Sequence, residues 1–450
     1  YKRVIIEWNK LNRLFYMKNF IILKPSSTKP SKVNIPGSKS ISNRVLLLSS
    51  LASGTTTIKN LLFSDDTKIM ISALKKLGIK IIEKHALNEC VVTGSKNFFP
   101  IKDVNLYIGN AGTAMRPLTS ILAFNGGSYK LHGTSRMHER PIKDLVDSLI
   151  SLGANIEYLN QKGFPPILIK KAKINKNTVS VRGNVSSQFL TSLILSSSIL
   201  SNNENFQISV EGELISKPYI NITLNLMKLY NFKIIEKKNN NFFIPPKQIL
   251  KNPKFIYVEG DASSASYFLA AAAIGGQPIK IMGISLNSIQ GDIAFIKILE
   301  KMGVSINGGD NYIEVHCKNI LKSINEDLNH IPDAAMTLAI LALYADGVSK
   351  LKNIGSWRVK ETDRLSAMSN ELKKVGANVE EGSDYLEITP PMTIKDASID
   401  TYDDHRMAMC FSLLSINSIN KKGALIQIND PGCVSKTFPN YFDIFKKILN

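Results

Sequence analysis

The amino-acid sequence predicts an α/β fold of two similar domains, because one pattern recurs along its 450 residues. Five times, an amphipathic segment ends at Gly or Asn and runs into a β-branched stretch, as in ALKKLGIKII and KILEKMGVSI. Gly and Asn tolerate the left-handed conformation that often follows a helix. The turn residues recur at intervals of 72 to 78 positions and are Gly78, Gly153, Asn231, Gly303 and Gly376. With a sixth helix in YFDIFKKILN, six units in two groups of three would form two α/β domains.

Two breaks in this pattern predict where the chain passes from one domain to the other. Near Gly260 a strand ends, and Asp261 or Ser263 is placed to cap an Ala-rich helix. Pro36-Gly37 is a second strong break, close to the N-terminus. The chain is therefore expected to cross between the domains twice.

These crossings define the predicted domain boundaries. One domain is expected over 38–259, and the other over 17–37 together with 260–450. Residues 1–16 come before Met17 and carry four basic residues against one acidic residue. They are poor in Ser, so an upstream or non-native extension is favoured over a transit peptide.

Composition and cysteine usage indicate an ordinary globular protein. Hydrophobic residues make up 44% of the chain and charged residues 21%. The four cysteines lie far apart without a CxxC pair, which argues against a disulfide framework or a zinc site. No apolar run approaches the roughly 18–20 residues of a membrane span. A cytoplasmic protein without a membrane segment or a bound metal is therefore expected.

The formal charge of +19 has two interpretations. A strongly basic protein can bind nucleic acid, which would make binding sensitive to salt. Here the lysines are spread along the chain without a basic block or interleaved aromatic residues, so a solvated basic surface without a nucleic-acid partner is favoured. Such a surface would still raise the local concentration of an anionic substrate.

Arginine is scarce in this chain, with 10 Arg against 46 Lys. Arg presents a planar fork that grips a carboxylate or phosphate through two hydrogen bonds, whereas Lys is a flexible point charge. Most of the arginines stand in dense polar clusters beside Gly, Ser, Asp or Glu: Arg44, Arg116, Arg136, Arg140, Arg358, Arg364 and Arg406. The pattern indicates a site for a small ligand with several negative charges.

The first two clusters are candidate anion-binding loops. PGSKSISNR at 36–44 precedes an apolar helix, and a helix N-terminus with free N–H groups binds anions. It is not a Walker A loop, because GxxxxGK[ST] is absent. GNAGTAMRP at 109–117 has small residues that let a ligand approach backbone amides. Each is equally consistent with an ordinary capped or tightly packed helix start.

Three further clusters supply donors. RMHERP at 136–141 holds two guanidinium groups four residues apart, which elsewhere is often a surface salt-bridge set. VSSQFL at 185–190 offers hydroxyl and amide groups, although a Ser pair is also an ordinary N-cap. SKPY at 216–219 is similar in kind.

The remaining clusters carry candidate acids and bases. Asp333 heads the apolar helix of HIPDAAMTLAIL, where helix capping is the plain explanation. Glu361 lies between Lys360 and Arg364, and a carboxylate among cations is a candidate acid or base with a tuned pKa. DDHR at 403–406 and SKTFP at 435–439 add one further cation each beside buried segments.

Together these clusters resemble the family of 5-enolpyruvylshikimate-3-phosphate (EPSP) synthases. PGSKSxSNR, GNAGTAMRP, RMxERP, SSQFLT, SKPY, IPDAAMT, WRVKETDR, YDDHRMAM and KTFPxYF occur in the family's order from residue 36 to 442. The resemblance implies an inside-out α/β barrel fold, with two domains of three βαβαββ units each and a substrate cleft between them. It also implies transfer of the enolpyruvyl group of phosphoenolpyruvate to the 5-hydroxyl of shikimate 3-phosphate, in the shikimate pathway. The reaction passes through a tetrahedral ketal and uses no metal or organic cofactor, and the family expectation is a monomer.

The resemblance also implies roles for individual residues. Asp333 would accept the proton of the 5-hydroxyl, Glu361 would protonate the methylene carbon, and Lys39 would assist both substrates. Residues implied to bind shikimate 3-phosphate are Lys39, Ser40, Arg44, Ser186, Ser187, Gln188, Ser216, Asp333, Ser356 and Lys360. Residues implied to bind phosphoenolpyruvate are Lys39, Gly112, Arg136, Gln188, Arg364, Arg406 and Lys436. Ser356 stands where the best-known bacterial members have Asn.

Gly112 belongs to the family's glyphosate-sensitive signature, so glyphosate is expected to inhibit in competition with phosphoenolpyruvate. Two alternatives remain open at this point. The sister transferase that acts on UDP-N-acetylglucosamine shares the fold but uses a cysteine in a mobile loop, and no Cys lies near 125–140 here. A basic nucleic-acid-binding protein would account for the charge but not for the ordered motifs.

Overall fold

The computed structural model describes residues 20–201 and 204–450, so the predicted extension over 1–16 lies outside the described residues. The helices are α1 (Lys39–Leu51), α2 (Asp65–Lys76), α3 (Gly112–Leu122), α4 (Lys143–Ser151), α5 (Ser187–Leu200), α6 (Lys217–Leu229), α7 (Ala262–Gly275), α8 (Phe295–Lys301), α9 (Ala335–Leu341), α10 (Arg364–Lys374), α11 (His405–Ser412) and α12 (Tyr441–Lys447). Across the described ranges, none of them combines the length and apolar character needed to cross a membrane.

The strands are short and alternate with the helices in the order expected of repeated α/β units. They are β1 (Phe20–Leu23), β2 (Ser31–Asn34), β3 (Ser53–Lys59), β4 (Lys80–Lys84), β5 (Glu89–Ser95), β6 (Asp103–Tyr107), β7 (Ser128–His132), β8 (Asn155–Tyr158), β9 (Ile167–Lys170), β10 (Thr178–Arg182), β11 (Phe206–Glu211), β12 (Ile235–Lys237), β13 (Asn241–Ile244), β14 (Phe255–Tyr257), β15 (Ile279–Met282), β16 (Ser305–Gly309), β17 (Tyr312–His316), β18 (Asn325–Asp327), β19 (Ser349–Lys352), β20 (Asn378–Glu381), β21 (Leu386–Thr389), β22 (Ala397–Ile399) and β23 (Ile426–Asn429).

In the described residues, the strands form six small sheets, five of four strands and one of three, and the four-stranded sheets share one topology. In the sheet ordered β6-β7-β9-β8, the β6–β7 pair is parallel, and the other two pairs are antiparallel. Helix α3 connects β6 to β7 and α4 connects β7 to β8, which makes the unit βαβαββ. The sheets β10-β11-β13-β12 and β18-β19-β21-β20 repeat this arrangement. The predicted repeat of α/β units is therefore present.

The remaining three sheets are completed by strands from distant parts of the chain. β2 pairs in parallel with β15, and β1 pairs with β23, so both N-terminal strands belong to sheets of the C-terminal half. β14 pairs in parallel with β3 and completes a sheet of the other half. Gly37 and Gly260 form an isolated antiparallel bridge where the two predicted crossings meet. The domain boundaries after residues 37 and 259 stay predictions.

The predicted helix-ending turns have the expected left-handed conformation. Gly153, two residues after α4, has φ of 102°, and Asn231, two residues after α6, has φ of 55°. Gly78, Gly303 and Gly376 occupy the same place after α2, α8 and α10. A β-branched or bulky residue is strained in this conformation, which is why the sequence repeat was visible as recurring Gly or Asn.

Two separate apolar cores fill the molecule. One gathers buried side chains from residues 41–258, and the other gathers them from 23–35 and 262–448. Helices α5, α7, α9 and α11 are buried along almost their whole length, so they lack the polar stripe of a surface helix. The first residues of α1, α3 and α5 reach one cavity between the cores, which places several helix N-termini around the same space.

Candidate active site

A cavity of about 70 Å³ lies between the two halves of the molecule and is lined by residues of both. It brings together residues that the sequence separates by more than 300 positions, such as Lys39 and Glu361. Twelve of the predicted site residues line it: Lys39, Ser40, Arg44, Gly112, Ser186, Ser187, Gln188, Ser216, Asp333, Ser356, Lys360 and Glu361. The other four, Arg136, Arg364, Arg406 and Lys436, lie behind this wall and contact its members.

Gly112 at the start of α3 occupies a place where a side chain would not fit. A Cβ there would lie 2.6 Å from Nη1 of Arg116, 2.8 Å from Nη2 of Arg140 and 3.0 Å from Oε1 of Gln188. The missing side chain therefore keeps two guanidinium groups and an amide close to the helix N-terminus. The small residues of GNAGTAMRP allow other groups to approach the backbone closely, as the sequence indicated.

Arg44 of α1 is held by neutral oxygens. Its Nε donates to Oγ1 of Thr223 at 2.9 Å, and its Nη1 donates to the backbone oxygen of Ser40 at 2.9 Å. Burial lowers the pKa of Arg44 to about 10. No ion pair found in the described ranges involves this guanidinium, so its positive charge is available to an anion in the cavity.

Arg116 and Arg140 line the same part of the cavity, although neither was predicted from the sequence to bind a ligand. Arg140 donates to both oxygens of Asn110 at 3.0 and 2.9 Å, and Arg116 donates to the backbone oxygen of Pro141 at 3.0 Å. Burial lowers the pKa of both groups; the nearby charge of Arg140 lowers that of Arg116 further, whereas Glu361 and Asp66 partly offset the effect of burial on Arg140. The scarcity of arginine in this chain was the sequence signal that could have placed Arg116 and Arg140 among the predicted site residues.

Arg364 is the centre of a buried carboxylate cluster on the opposite wall. Its Nε donates to Asp404 at 2.7 Å, its Nη1 to Asp333 at 3.0 Å and its Nη2 to Glu361 at 2.9 Å. Arg406 donates from Nη2 to the second oxygen of Asp333 at 2.8 Å. One guanidinium thereby fixes the two carboxylates that the sequence singled out as acid and base.

These cations decide the charge of both carboxylates. Burial raises the pKa of Asp333, but Arg406, Lys360 and Arg364 outweigh it and hold the pKa well below its ordinary value. Burial likewise raises the pKa of Glu361, and Arg364 leads the cations that bring that pKa well below its ordinary value. Both groups are ionised at neutral pH in the ligand-free site.

Asp66 on α2 is a carboxylate that sequence reasoning missed. It lies 2.9 Å from Nζ of Lys436 and 3.6 Å from Nζ of Lys39, so one carboxylate joins two predicted phosphoenolpyruvate ligands. Its sequence signal was weak, because an Asp in the first turn of a helix ordinarily complements the helix dipole.

Direct contacts between the two halves close the cavity. Arg136 donates from Nε to the backbone oxygen of Glu361 and from Nη2 to that of Lys360, both at 3.0 Å. Lys436 donates to the backbone oxygen of Asn110 at 3.1 Å, and Ser435 donates to Asp65. Arg136 and Lys436 are therefore placed in the site by the half of the molecule to which they do not belong.

The serine residues of the site are positioned by turns. Ser186 caps α5 and accepts the backbone N–H of Gln188 at 3.3 Å, so the plain capping interpretation holds beside the site position. Ser216 has φ of 53° and donates its N–H to Asn329 of the other half at 2.7 Å. Ser356 lies in a single 3₁₀ turn, Gly355–Val359, at the cavity wall.

The remaining features separate structural from site residues. Asp333 does not cap α9, because the N-cap position is Ala334. Arg358 forms ion pairs with Asp363 and Glu381, each at 3.0 Å, and therefore has a structural role. Within residues 20–201 and 204–450, no group of three or more His, Cys, Asp or Glu side chains is arranged to hold a metal ion.

Comparisons with known proteins identify the family. A family model described as EPSP synthase (3-phosphoshikimate 1-carboxyvinyltransferase) matches residues 23–445. The 3-phosphoshikimate 1-carboxyvinyltransferases of Herminiimonas arsenicoxydans and Janthinobacterium sp. (strain Marseille) are each 54% identical over 430 residues, which covers 96% of this chain and 97% and 98% of theirs. A solved EPSP synthase from Acinetobacter baumannii aligns with a TM-score of 0.76 at 24% identity, covering 96% of this chain and 98% of that one.

The solved structure supports the fold, and the sequence relatives support the chemistry. The predicted family, fold class and enzyme class are confirmed by these matches. The family model and the sequence relatives that match this chain are EPSP synthases, and not UDP-N-acetylglucosamine transferases or nucleic-acid-binding proteins. The chain belongs to the EPSP synthase family, the 3-phosphoshikimate 1-carboxyvinyltransferases.

Proposed function

We propose that this protein moves the enolpyruvyl group of phosphoenolpyruvate onto the 5-hydroxyl of shikimate 3-phosphate in the cavity between its two cores, releasing phosphate. The observation that carries this proposal is the pair of ionised carboxylates, Asp333 and Glu361, held by the single guanidinium of Arg364 at the cavity wall. Cations on the opposite wall supply counter-charge for two anionic substrates. This arrangement provides acid–base groups and anion binding together.

Shikimate 3-phosphate is placed against the serine-rich side of the cavity. Arg44 offers a charge without a carboxylate partner, and Lys360 faces it from the other half. Neutral hydroxyl and amide donors complete the subsite: Ser40, Ser186, Ser187, Gln188, Ser216 and Ser356. A phosphate there gains hydrogen bonds from groups that the fold already holds in place.

Phosphoenolpyruvate is placed near Gly112 and Gln188, between cations that already have anionic or carbonyl partners. Arg136 faces backbone oxygens, and Lys39 and Lys436 face Asp66. The phosphate and carboxylate of the substrate replace part of these contacts. Arg364 and Arg406 keep their grip on Asp333 and add positive charge to this side.

In the addition step, ionised Asp333 accepts the proton of the 5-hydroxyl as that oxygen bonds to C2 of phosphoenolpyruvate. Glu361, in its protonated form, delivers a proton to the methylene carbon, which gives the tetrahedral ketal. In the elimination step, Glu361 takes a proton from the new methyl group, the double bond re-forms, and the bond between C2 and the phosphate oxygen breaks. Phosphate departs with the electron pair of that bond and takes up the proton held by Asp333. The two carboxyl groups exchange donor and acceptor roles between the steps.

Glu361 must gain a proton before it can act as the acid. In the ligand-free site its pKa is held low chiefly by Arg364, with Arg140, Lys39 and Lys436 adding to the effect against burial. An anionic substrate neutralises these cations, so substrate binding raises the pKa of Glu361 from its lowered value. Binding and proton supply are thereby coupled.

The closed cavity is smaller than a typical ligand site of about 300–1,000 Å³. Ligands therefore enter when the two halves separate, and the two chain crossings after residues 37 and 259 are the proposed hinge between domains 38–259 and 17–37 plus 260–450. Closing then restores the contacts of Arg136 and Lys436 across the cleft.

Three further properties complete the proposal. Glyphosate, an anionic compound, competes with phosphoenolpyruvate near Gly112. The protein acts as a monomer, as the family resemblance implies. It works without a metal or organic cofactor, because side chains supply the acid–base and electrostatic groups. The proposed compartment is the cytoplasm, which suits four widely spaced cysteines without a CxxC pair.

One assay tests the proposed reaction. Phosphate release from phosphoenolpyruvate is measured with shikimate 3-phosphate, with UDP-N-acetylglucosamine, or with neither. Release with shikimate 3-phosphate alone is expected, with 5-enolpyruvylshikimate 3-phosphate as the product by mass spectrometry. Release with the nucleotide sugar, or with neither acceptor, would overturn the proposal.

A further inference from the structure

The turn before α11 contains two adjacent residues in an unfavourable backbone conformation. Tyr402 has φ of 54° and Asp403 has φ of 53°, and neither is glycine. Left-handed non-glycine residues persist only when the surrounding structure holds them, and they cluster at functional sites. The turn is therefore held by contacts that can be identified.

Glu371 of α10 makes those contacts. Its side chain is completely buried, its Oε1 accepts the hydroxyl of Tyr402 at 2.7 Å, and its Oε2 accepts the backbone N–H of Asp400 at 3.1 Å. Lys374, one helical turn further on, lies 2.8 Å from Oε2 and also 2.8 Å from Asp400. One carboxylate thereby ties down both the start and the middle of the turn.

The turn in its left-handed form delivers Asp404 to the site. Asp404 accepts Nε of Arg364 at 2.7 Å and caps α11 by accepting the N–H of Arg406 at 3.0 Å. Arg364 and Glu371 stand seven positions apart on α10, which places them on one face of that helix. A closed ring of contacts therefore runs from Arg364 through Asp404 and Tyr402 to Glu371 and back along the helix.

We propose that Glu371 is a positioning residue for the phosphoenolpyruvate side of the site, acting through the Tyr402 turn and Asp404 on the guanidinium groups of Arg364 and Arg406. This inference rests on the proposed function for its assignment of the two arginines. Neither Glu371 nor Tyr402 lines the cavity or meets the reacting atoms. Glu371 therefore affects the positions of the guanidinium groups of Arg364 and Arg406, and not the chemical step itself.

The test uses the full chain with Tyr402→Phe, which removes the hydroxyl that Glu371 holds, and Glu371→Gln, which keeps an acceptor for that hydroxyl. Small displacements of groups that position a substrate lower rates strongly. For Tyr402→Phe, KM for phosphoenolpyruvate is expected to rise about tenfold with KM for shikimate 3-phosphate within about twofold of native. Glu371→Gln is expected to show a smaller rise, and Glu371→Leu the full effect.

Lys374→Met is the matched control, because it removes the ion pair of Glu371 but not the acceptor of the Tyr402 hydroxyl. Its KM values are expected to stay within about twofold of native. The double variant Tyr402→Phe/Glu371→Leu should cost no more than the larger single change, since both act through one contact.

Two results separate the inference from the proposed function. Calorimetric binding of shikimate 3-phosphate, whose proposed subsite includes neither Arg406 nor Arg364, is expected to be native-like in every variant. If Tyr402→Phe and Glu371→Leu leave KM for phosphoenolpyruvate unchanged in an active protein, or raise both KM values equally, Glu371 is only a structural residue. If the native protein releases no phosphate, the proposed function fails instead. Should one variant not fold, the other and Glu371→Gln carry the comparison.

Discussion

Arg364 and Asp404 form a buried pair in which Nε of the guanidinium lies 2.7 Å from Oδ2 of the carboxylate, and neither side chain is more than 1% exposed. The other two nitrogens of Arg364 reach the remaining carboxylates: Nη1 donates to Asp333, and Nη2 donates to Glu361 as well as to Oδ1 of Asp404 at 3.3 Å. A lysine also has three N–H donors, but all three are on one nitrogen, so it cannot reach carboxylates spread around a planar guanidinium in this way. The geometry explains why this chain, which uses lysine almost everywhere, keeps arginine here.

The second arginine at this wall gives the first prediction. Arg406→Lys loses either the bond to Asp333 at 2.8 Å or the bond from Nη1 to Tyr267 at 3.1 Å. We expect kcat/KM to fall by at least about 100-fold, which corresponds to about 2.7 kcal/mol. Arg182→Lys is the control, because the Arg182 side chain is 60% exposed and lies 3.4 Å from Asp144 in an ordinary surface ion pair. Steady-state kinetics close to native for Arg406→Lys would show that the two hydrogen bonds of the Arg406 guanidinium are not both needed.

Asp333 gives a prediction about the chemical step. Asp333→Asn keeps the shape of the side chain but cannot accept the proton of the 5-hydroxyl. We expect kcat to fall roughly 10²- to 10⁴-fold, while shikimate 3-phosphate still binds in calorimetry. The exposed Asp310 provides a control as Asp310→Asn. A kcat within a few-fold of native would assign the base elsewhere.

The same carboxylate predicts how stability depends on pH. The cations around Asp333 hold its folded-state pKa well below the ordinary value of about 3.9. Its contribution to stability is therefore complete above about pH 4–5 and is lost as pH falls through the lower folded-state pKa. Urea unfolding at pH 7, 5 and 3 should show the native protein more stable than Asp333→Asn at the first two values, with a smaller gap at pH 3. A gap that is constant over this range would mean that the folded-state pKa is not lowered.

Gly112 gives a prediction about inhibitor and substrate together. In Gly112→Ala, the new Cβ would lie 2.6 Å from Arg116 and 2.8 Å from Arg140, so both guanidinium groups must shift. We expect a severalfold rise in KM for phosphoenolpyruvate and a larger rise in the inhibition constant of glyphosate. Gly432→Ala is the control, since its Cβ would meet nothing closer than 3.5 Å. Glyphosate that leaves the apparent KM for phosphoenolpyruvate unchanged in the native protein would refute competition.

Ser356 gives the fifth prediction, which concerns the acceptor substrate. Its short hydroxyl lines the cavity, and an Asn amide in the same 3₁₀ turn would reach further and add donors. We expect Ser356→Asn to lower KM for shikimate 3-phosphate severalfold and to leave KM for phosphoenolpyruvate unchanged. Ser305→Asn, at an exposed position of β16, should change neither value. If Ser356→Asn leaves KM for shikimate 3-phosphate unchanged, the side chain at position 356 does not contact that substrate.

The sequence predicted the site well where the residues themselves carry the chemistry. Arg44, Gly112 and Glu361 stand in short motifs whose residue types point to anion binding or proton transfer, and the structure gathers them around one cavity. The repeat of turns such as Gly153 and Asn231 also predicted the recurring α/β units, because the left-handed conformation favours Gly or Asn at these positions.

The sequence could not predict which groups pair across the molecule. Asp66 and Lys436 meet at 2.9 Å although they are about 370 positions apart, and nothing local to either residue announces the other. Glu371 looked like an ordinary helix residue before a Lys at i+3. Its burial and its bond to Tyr402 depend on how α10 packs against a turn formed 30 residues later.

The pairing of the first strands with the last has a consequence for the order of events during synthesis. β1 finds its partner β23 about 400 residues later, and β2 waits about 250 residues for β15. At about 5–20 residues per second, the ribosome exposes the edge of β1 for roughly 20 to 80 s before its sheet can form. The segment from β3 to β14, whose two end strands pair with each other, can complete its sheets first. A nascent chain should therefore gain protease resistance in two stages, with the N-terminal strands joining only in the second.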